Sequence, residues 1–267
     1  MRFAVVYTER REEARRAAQR AKTFLEERGA SVEVHSVNEI VGKKLSDRVD
    51  LAIALGGDGT ILKTVRSLPR VDTPVLGVNF GRGGFLMEAE ANMLEESLDR
   101  ILRGDYRAEK AEMMAVNVNG KELGAILNEV YISSRKIGKL LEAEIIKTGS
   151  SLIEVEADGL IISTPIGSTA YSYSAGGPIV DDKLEAAVIT AVCPVSNFRP
   201  MVLDLSRGFE VNTRSEFGFS ILLDGFIEEK LENHVLRMSF KKSDRTVAFI
   251  RLGLGESFAR RVRKKLR

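Results

Sequence analysis

Leu51-Ala52-Ile53-Ala54-Leu55 is apolar at every position and runs straight into Gly56-Gly57. A strand with one wet face alternates, so an unbroken apolar run must be covered on both sides. That condition is met by a parallel sheet with helices on each face. The flanking sequence supplies both components. Phe3 to Thr8 is short and rich in β-branched residues, and Val32 and Val34 mark a second strand. Between them, Glu12 to Arg28 places Ala14, Ala17, Ala18, Ala21 and Leu25 at helical spacing, with Gly29 as the stop. Ile61 to Leu68 reads as the helix after the apolar strand. Pro74 to Phe80 reads as a further strand ending in Gly81-Arg82-Gly83-Gly84, and Ala91 to Arg103 as another amphipathic helix. Ligands of such sheets bind at the carboxyl ends of the strands.

After Gly104 the period changes. Ala115 to Val118 and Lys121 to Leu123 flank Asn119-Gly120, the strongest short hairpin signal. Strand-like runs follow at Ile126 to Ser133, Leu141 to Lys147, Leu152 to Ala157, Leu160 to Ser163 and Met201 to Leu205. Phe209 to Asn212, Phe217 to Leu223, Val235 to Phe240 and Val247 to Leu252 complete the series; only Asp181 to Val188 offers a helical pattern. The expected architecture is an α/β domain with a parallel sheet over residues 1–104, then a β-rich, sandwich-like domain over 105–252. Residues 253–267 form a basic helix or tail. Its Arg260, Arg261, Arg263, Lys264, Lys265 and Arg267 suit a solvated helix end, where cations meet the negative end of the dipole, better than a nucleic-acid or membrane tail.

Forty Lys and Arg stand against thirty-eight Asp and Glu, a formal charge of +2, without the basic excess of a nucleic-acid binder. The longest apolar runs fall well short of the roughly 20 residues of a membrane span. The amino-terminal sequence carries no visible signal peptide. One cysteine, Cys193, excludes an intrachain disulfide and a thiolate metal cage, and His35 and His234 alone make no histidine cluster. A cytoplasmic enzyme or binding protein is expected.

Three segments carry chemistry. In Gly56-Gly57-Asp58-Gly59-Thr60, a strand-to-helix turn lets phosphates approach backbone N–H groups through residues without a Cβ. Asp58 is the one charge in that turn. A carboxylate beside polyphosphate makes electrostatic sense only if it contacts a hydroxyl or a magnesium ion. A P-loop is absent. The second segment, Ser163 to Pro178, carries hydroxyls on eight of sixteen residues: Ser163, Thr164, Ser168, Thr169, Tyr171, Ser172, Tyr173 and Ser174. With its glycines it reads as an uncharged donor and acceptor platform for a polar ligand. The third is Asn128-Glu129, polar inside an apolar strand. One amide and one carboxylate match a ribose diol, and a strand-edge role fits equally.

Taken together these segments resemble the NAD kinase family, whose GGDGT turn, Asn-Glu pair and TPxGSTAYSxSAGGP loop occur here in family order. Asp158-Gly159-Leu160, Gly77-Val78-Asn79-Phe80-Gly81 and Gly84-Phe85-Leu86 are also similar. Diacylglycerol and sphingosine kinases, and loosely phosphofructokinases, share GGDGT alone. The resemblance implies an α/β domain and a β-rich dinucleotide-binding domain with the active-site cleft between them. It also implies a homodimer or homotetramer. Asp58 would face the 2′-hydroxyl of the adenosine ribose as proton acceptor, with Gly56, Gly57, Gly59 and Thr60 near the phosphates. Asn128 and Glu129 would contact ribose and adenine, Thr169, Ala170 and Ser174 the adenine side, Tyr171 would pack as a wall, and Asp158 would lie near the nicotinamide. Two positions depart from the pattern: Phe226 follows Asp224-Gly225 where the family often has Gln, and Ile166 replaces a Thr or Ser.

The implied substrates are NAD and ATP or a polyphosphate. Magnesium would be carried by the donor phosphates, since no carboxylate cluster with ligand spacing appears. The rival readings are a lipid or sugar kinase sharing the GGDGT turn, and a catalytically silent NAD sensor.

Overall fold

The computed structural model describes residues 1–68, 70, 72–81, 84–255 and 257–265. Arg82 and Gly83 of the second glycine turn, and Glu256, Leu266 and Arg267 of the basic tail, lie outside them. The chain divides into two units, Met1–Ala111 with Thr246–Arg267, and Glu112–Arg245.

The first unit opens β1 (Arg2–Tyr7), α1 (Glu12–Glu26), β2 (Ser31–Ser36), α2 (Val37–Ile40) and β3 (Leu51–Gly56). It continues with α3 (Asp58–Ser67), β4 (Val75–Asn79), the two-residue β5 (Ala89–Glu90), a 3₁₀ turn at Ala91–Met93 and α4 (Leu94–Leu102). β3 is buried along its whole length, as its unbroken apolar run demands, and pairs in parallel with β1 and β4. β2 extends the sheet beyond β1. α1 buries Ala14, Ala17, Ala18, Ala21 and Leu25, the face read from the sequence. Its four alanines let the helix backbone approach the sheet closely, and Leu25 joins Phe3, Leu51 and Ile53 in one core.

The second unit is β-rich, with one short α-helix and a 3₁₀ turn at Gly167–Thr169. Its strands are β6 (Arg107–Val118), which enters from the first unit, β7 (Lys121–Ile126), β8 (Glu129–Ser134), β9 (Leu141–Lys147), β10 (Ser150–Ala157) and β11 (Gly159–Ser163). After α5 (Tyr171–Ser174) come β12 (Ala186–Val192), β13 (Met201–Asp204), β14 (Phe209–Arg214), β15 (Phe219–Leu223), β16 (Ile227–Leu231) and β17 (Val235–Arg251). The order β13-β12-β11-β8-β15-β16 forms one antiparallel sheet. Val130, Ile132, Leu160, Ile162 and Ile189 from its inner face share a core with Ile145, Val211, Leu236 and Met238 of the β9, β14 and β17 layer. That is the expected sandwich. Asn119 and Gly120 both take positive φ, 50° and 82°, as a two-residue hairpin turn requires.

Three expectations need correction. Asp181 to Val188 is not helical: a turn precedes β12, whose β-branched Val188 and Ile189 pair with β11 and β13. Ile126 to Ser133 is two strands, broken at Leu127-Asn128. Val235 to Phe240 and Val247 to Leu252 are the ends of the single strand β17, which bonds β14 through residues 235–240 and β4 at Phe249. β17 thereby carries residues 246–251 into the first unit. The chain then ends in α6 (Phe258–Lys265).

Candidate active site

In the first unit, β3 delivers the glycine turn and α3 starts at Asp58, with the extended Gly57 as a cap that brings no side chain. Gly57 and Gly59 differ from Gly56. A Cβ on Gly56 would lie 2.2 Å from Thr60 Oγ1, so this residue is small because Thr60 folds back over it. At Gly57 and Gly59 a Cβ would meet nothing within 4 Å, leaving the positive end of α3 open to an anion. Thr60 N–H already donates to Gly57 O (2.8 Å).

Asp58 turns away from its own helix. Its Oδ2 accepts from Phe85 N–H at 2.8 Å, and its Oδ1 from Leu86 N–H at 2.9 Å. Gly84 is held small there, since a Cβ would meet Met87 Cγ at 2.5 Å and Asp58 Oδ1 at 3.0 Å. Asn79, at the carboxyl end of β4, accepts from Gly81 N–H and donates to Glu90.

In the second unit the Asn-Glu pair sits at a built discontinuity. Asp224, only 5% exposed, takes Asn128 N–H at 2.7 Å and Leu127 N–H at 3.2 Å, while its own N–H donates to Glu129 O. Those amides would otherwise extend the strand. Asn128 O, in turn, accepts from Thr164 N–H (2.8 Å), and a Cβ on Gly167 would fall 2.0 Å from that same oxygen. The hydroxyl-rich loop is therefore seated directly on residues 127–128.

Most of the loop's hydroxyls fold the loop. Thr164 Oγ1 donates to Leu127 O, Ser168 Oγ to Pro165 O and Thr169 Oγ1 to Ile166 O. Ser172 Oγ meets Thr190 Oγ1 at 2.9 Å beneath Gly177, which has no room for a Cβ. Tyr171 is exposed and stands edge-on to Tyr131, with centroids 5.3 Å apart. Ser174 and Asp158 are exposed as well. Asn128, Glu129, Thr169, Ala170 and Tyr171 are thus brought together by the Asp224 anchor and the loop seated on it.

Asp224 and Tyr131 were missed from the sequence. The Asp224-Gly225 dipeptide was the available signal, since both residues take positive φ (48° and 76°) in the β15–β16 turn.

Glu129 is 7% exposed. Burial first, and then the nearby Asp224 carboxylate, push its pKa from 4.5 up to about 7, against a hydrogen bond from the Tyr171 backbone. Its Oε2 has no partner, nor does the buried Ser163 Oγ. The register pairs Ser163 with Glu129 directly across β11 and β8, so both orphan groups share one face. The sign follows from burial. The folded state holds the proton more tightly than the unfolded chain, so this group's penalty is absent below about pH 4.5 and grows as pH rises to about 7. Above that the penalty is about 3 kcal/mol. Glu129→Gln should therefore stabilise the unliganded protein at pH 8 and change it little at pH 4.5. Urea unfolding at both pH values checks this; an equal effect at both would contradict it.

The family model described as ATP-NAD kinase N-terminal domain matches residues 3–106, and that of the ATP-NAD kinase C-terminal domain matches residues 127–252. The protein is an enzyme, a kinase. The chain is 38% identical over 264 residues to an NAD kinase of Methanothermobacter thermautotrophicus, covering 95% of this chain and 92% of that one. It is 35% identical over 262 residues to an NAD kinase of Thermococcus sibiricus, covering 94% of each. An Archaeoglobus fulgidus NAD kinase, solved in complex with ATP, superposes with a TM-score of 0.80 at 27% identity over 100% of this chain and 98% of that one. Yeast NADH kinase, complexed with NADH, shares the fold, with a TM-score of 0.83 at 22% identity over 100% of this chain and 87% of its own. The chain belongs to the NAD kinase family. Among the described residues no helix is long and apolar enough to cross a membrane.

Proposed function

We propose that the chain transfers the terminal phosphoryl group of ATP to the 2′-hydroxyl of the adenosine ribose of NAD, giving NADP, with Asp58 as proton acceptor. The observation that carries this reading is the placement of Asp58. It is the first residue of α3, oriented by two backbone amides and flanked by two glycines whose Cα atoms face open space. Each carboxylate oxygen accepts from one amide, and a carboxylate oxygen can accept from more than one donor. An ordinary aspartate, with a pKa of about 3.9, is too weak to deprotonate a sugar alcohol in advance. It need not do so, because phosphoryl transfer runs through a loose transition state and the proton leaves late. Asp58 then orients the hydroxyl in line and takes its proton as the new P–O bond forms.

Asn128, Glu129 and the Thr169, Ala170, Tyr171 and Ser174 segment would hold the adenosine, with Asp158 toward the nicotinamide. The unspent hydrogen-bonding capacity of Glu129 Oε2 supports that assignment. Gly57 and Gly59 would admit phosphate to the α3 terminus. A divalent cation such as magnesium, which would neutralise charge on the donor phosphates, is assigned to ATP itself. Among the described residues no three His, Cys, Asp or Glu side chains converge on a metal-sized site. The active species is proposed to be a cytoplasmic homodimer or homotetramer.

The test offers ATP with NAD, NADH, diacylglycerol and fructose 6-phosphate in parallel. Phosphorylation of a nicotinamide dinucleotide alone is expected. Turnover of the lipid or the sugar, or NAD binding without turnover, would overturn the proposal.

A further inference from the structure

The peptide unit joining Phe85 to Leu86 is gripped at both ends. Its N–H, on Leu86, donates to Asp58 Oδ1, and its C=O, on Phe85, accepts from Arg261 Nη1 at 2.6 Å. The same guanidinium lies over the Phe85 ring, 4.6 Å from its centroid, and Phe258 packs edge-on to that ring at 5.8 Å. Both residues come from α6, the basic helix that the sequence alone assigned to solvent.

This docking is built in. Glu88, two residues past Leu86 and 4% exposed, collects the N–H groups of Leu252, Leu254 and Gly255 on one oxygen, at 2.8, 3.1 and 3.2 Å. A Cβ on Gly255 would lie 2.7 Å from the other oxygen, so the loop into α6 closes on this carboxylate without slack. Arg251 joins Glu88 to Glu109 in the same cluster.

We infer that Arg261 is a positioning residue for Asp58, acting through the Phe85–Leu86 peptide. A cation on a carbonyl polarises the amide group and strengthens the bond its N–H donates. That bond fixes one of the two oxygens with which Asp58 would meet the substrate hydroxyl. The inference rests on the proposed role of Asp58, and the experiment separates the two. Asp58→Asn, Arg261→Met and Arg261→Lys are assayed together with NAD and ATP, and amide hydrogen exchange is followed at Leu86.

Methionine keeps most of the stem and loses the donor; lysine keeps one charged donor. Loss of a charged hydrogen bond predicts a fall in kcat of about tenfold for Arg261→Met. KM for NAD should stay within about twofold, since the interaction lies outside the substrate. Leu86 exchange should quicken in Arg261→Met, and Arg261→Lys should recover most of both losses. A purely structural role would lower the melting temperature or shift kcat and KM together, with no selective change at Leu86, and would overturn the inference. So would a kcat within about twofold of the parent in Arg261→Met while Asp58→Asn is inactive. A fully active Asp58→Asn would instead remove the role of Asp58 on which the inference stands.

Discussion

Asp58→Asn should lower kcat by about 10²- to 10⁴-fold, the usual contribution of a positioned general base, or roughly 3 to 5 kcal/mol of barrier. KM for NAD should move by no more than about threefold, as when an interaction is made only in the transition state. No other residue of the glycine turn carries a group able to take the proton, and neither His35 nor His234 belongs to the three motifs. The structure adds a cost that the sequence did not show. Asp58 accepts from both Phe85 and Leu86, whereas asparagine has one acceptor oxygen and would turn an NH₂ toward the second amide. A stability loss of about 1 kcal/mol should accompany the kinetic effect. Steady-state kinetics with a parallel melting curve separates the two. A kcat within about threefold of the parent would make Asp58 a structural residue only.

Asp224→Ala should be the most damaging substitution in the second unit. It removes a buried carboxylate that serves two amides, and leaves Leu127 and Asn128 with unpaired N–H groups in an apolar surrounding. Two such losses cost roughly 2 to 5 kcal/mol. NAD affinity should fall as well, because the Thr164 to Gly167 turn is seated on the carbonyls of the segment that Asp224 anchors. Asp224→Asn keeps one acceptor and should lose about half as much. Urea unfolding and calorimetric titration with NAD are the measurements. A stability loss under about 1 kcal/mol in Asp224→Ala would mean that these amides find other partners.

Much of this architecture could be read locally. The covered face of α1 follows from its alanine spacing, the buried parallel strand from the unbroken run at Leu51 to Leu55, and the β6–β7 turn from Asn119-Gly120. What escaped depends on partners far along the chain. The break at Leu127-Asn128 exists because a carboxylate 96 residues from Asn128 captures its amide. The middle of β17 hid for another reason. Lys241, Lys242, Asp244 and Arg245 are exposed and interrupt the apolar period, although the strand continues through them. Ala186 to Val192 carries apolar residues at spacings a helix could also use, and its pairing with β11 and β13 decides the matter.

The candidate site divides in the same way. Its three segments stood out by residue type, but the division of labour within them did not. Five of the eight hydroxyls in the Ser163 to Pro178 loop, those of Thr164, Ser168, Thr169, Ser172 and Ser174, hold the loop itself. The sequence suggested a surface of free donors. Among the three glycines of the first turn, Gly56 answers to Thr60, while Gly57 and Gly59 stay open. Composition could not distinguish them, because the difference lies in which side chain folds back over which Cα.

The central claim concerns one oxygen atom. Incubation of the purified chain with ATP, a divalent cation and NAD, followed by phosphorus NMR of the isolated dinucleotide, locates the transferred group directly. The account predicts a new phosphomonoester on the 2′-oxygen of the adenosine ribose, formed in equal amount with ADP. The product should serve as oxidant for an NADP-specific dehydrogenase. A phosphate on any other oxygen, or ADP released without a phosphorylated dinucleotide, would contradict it.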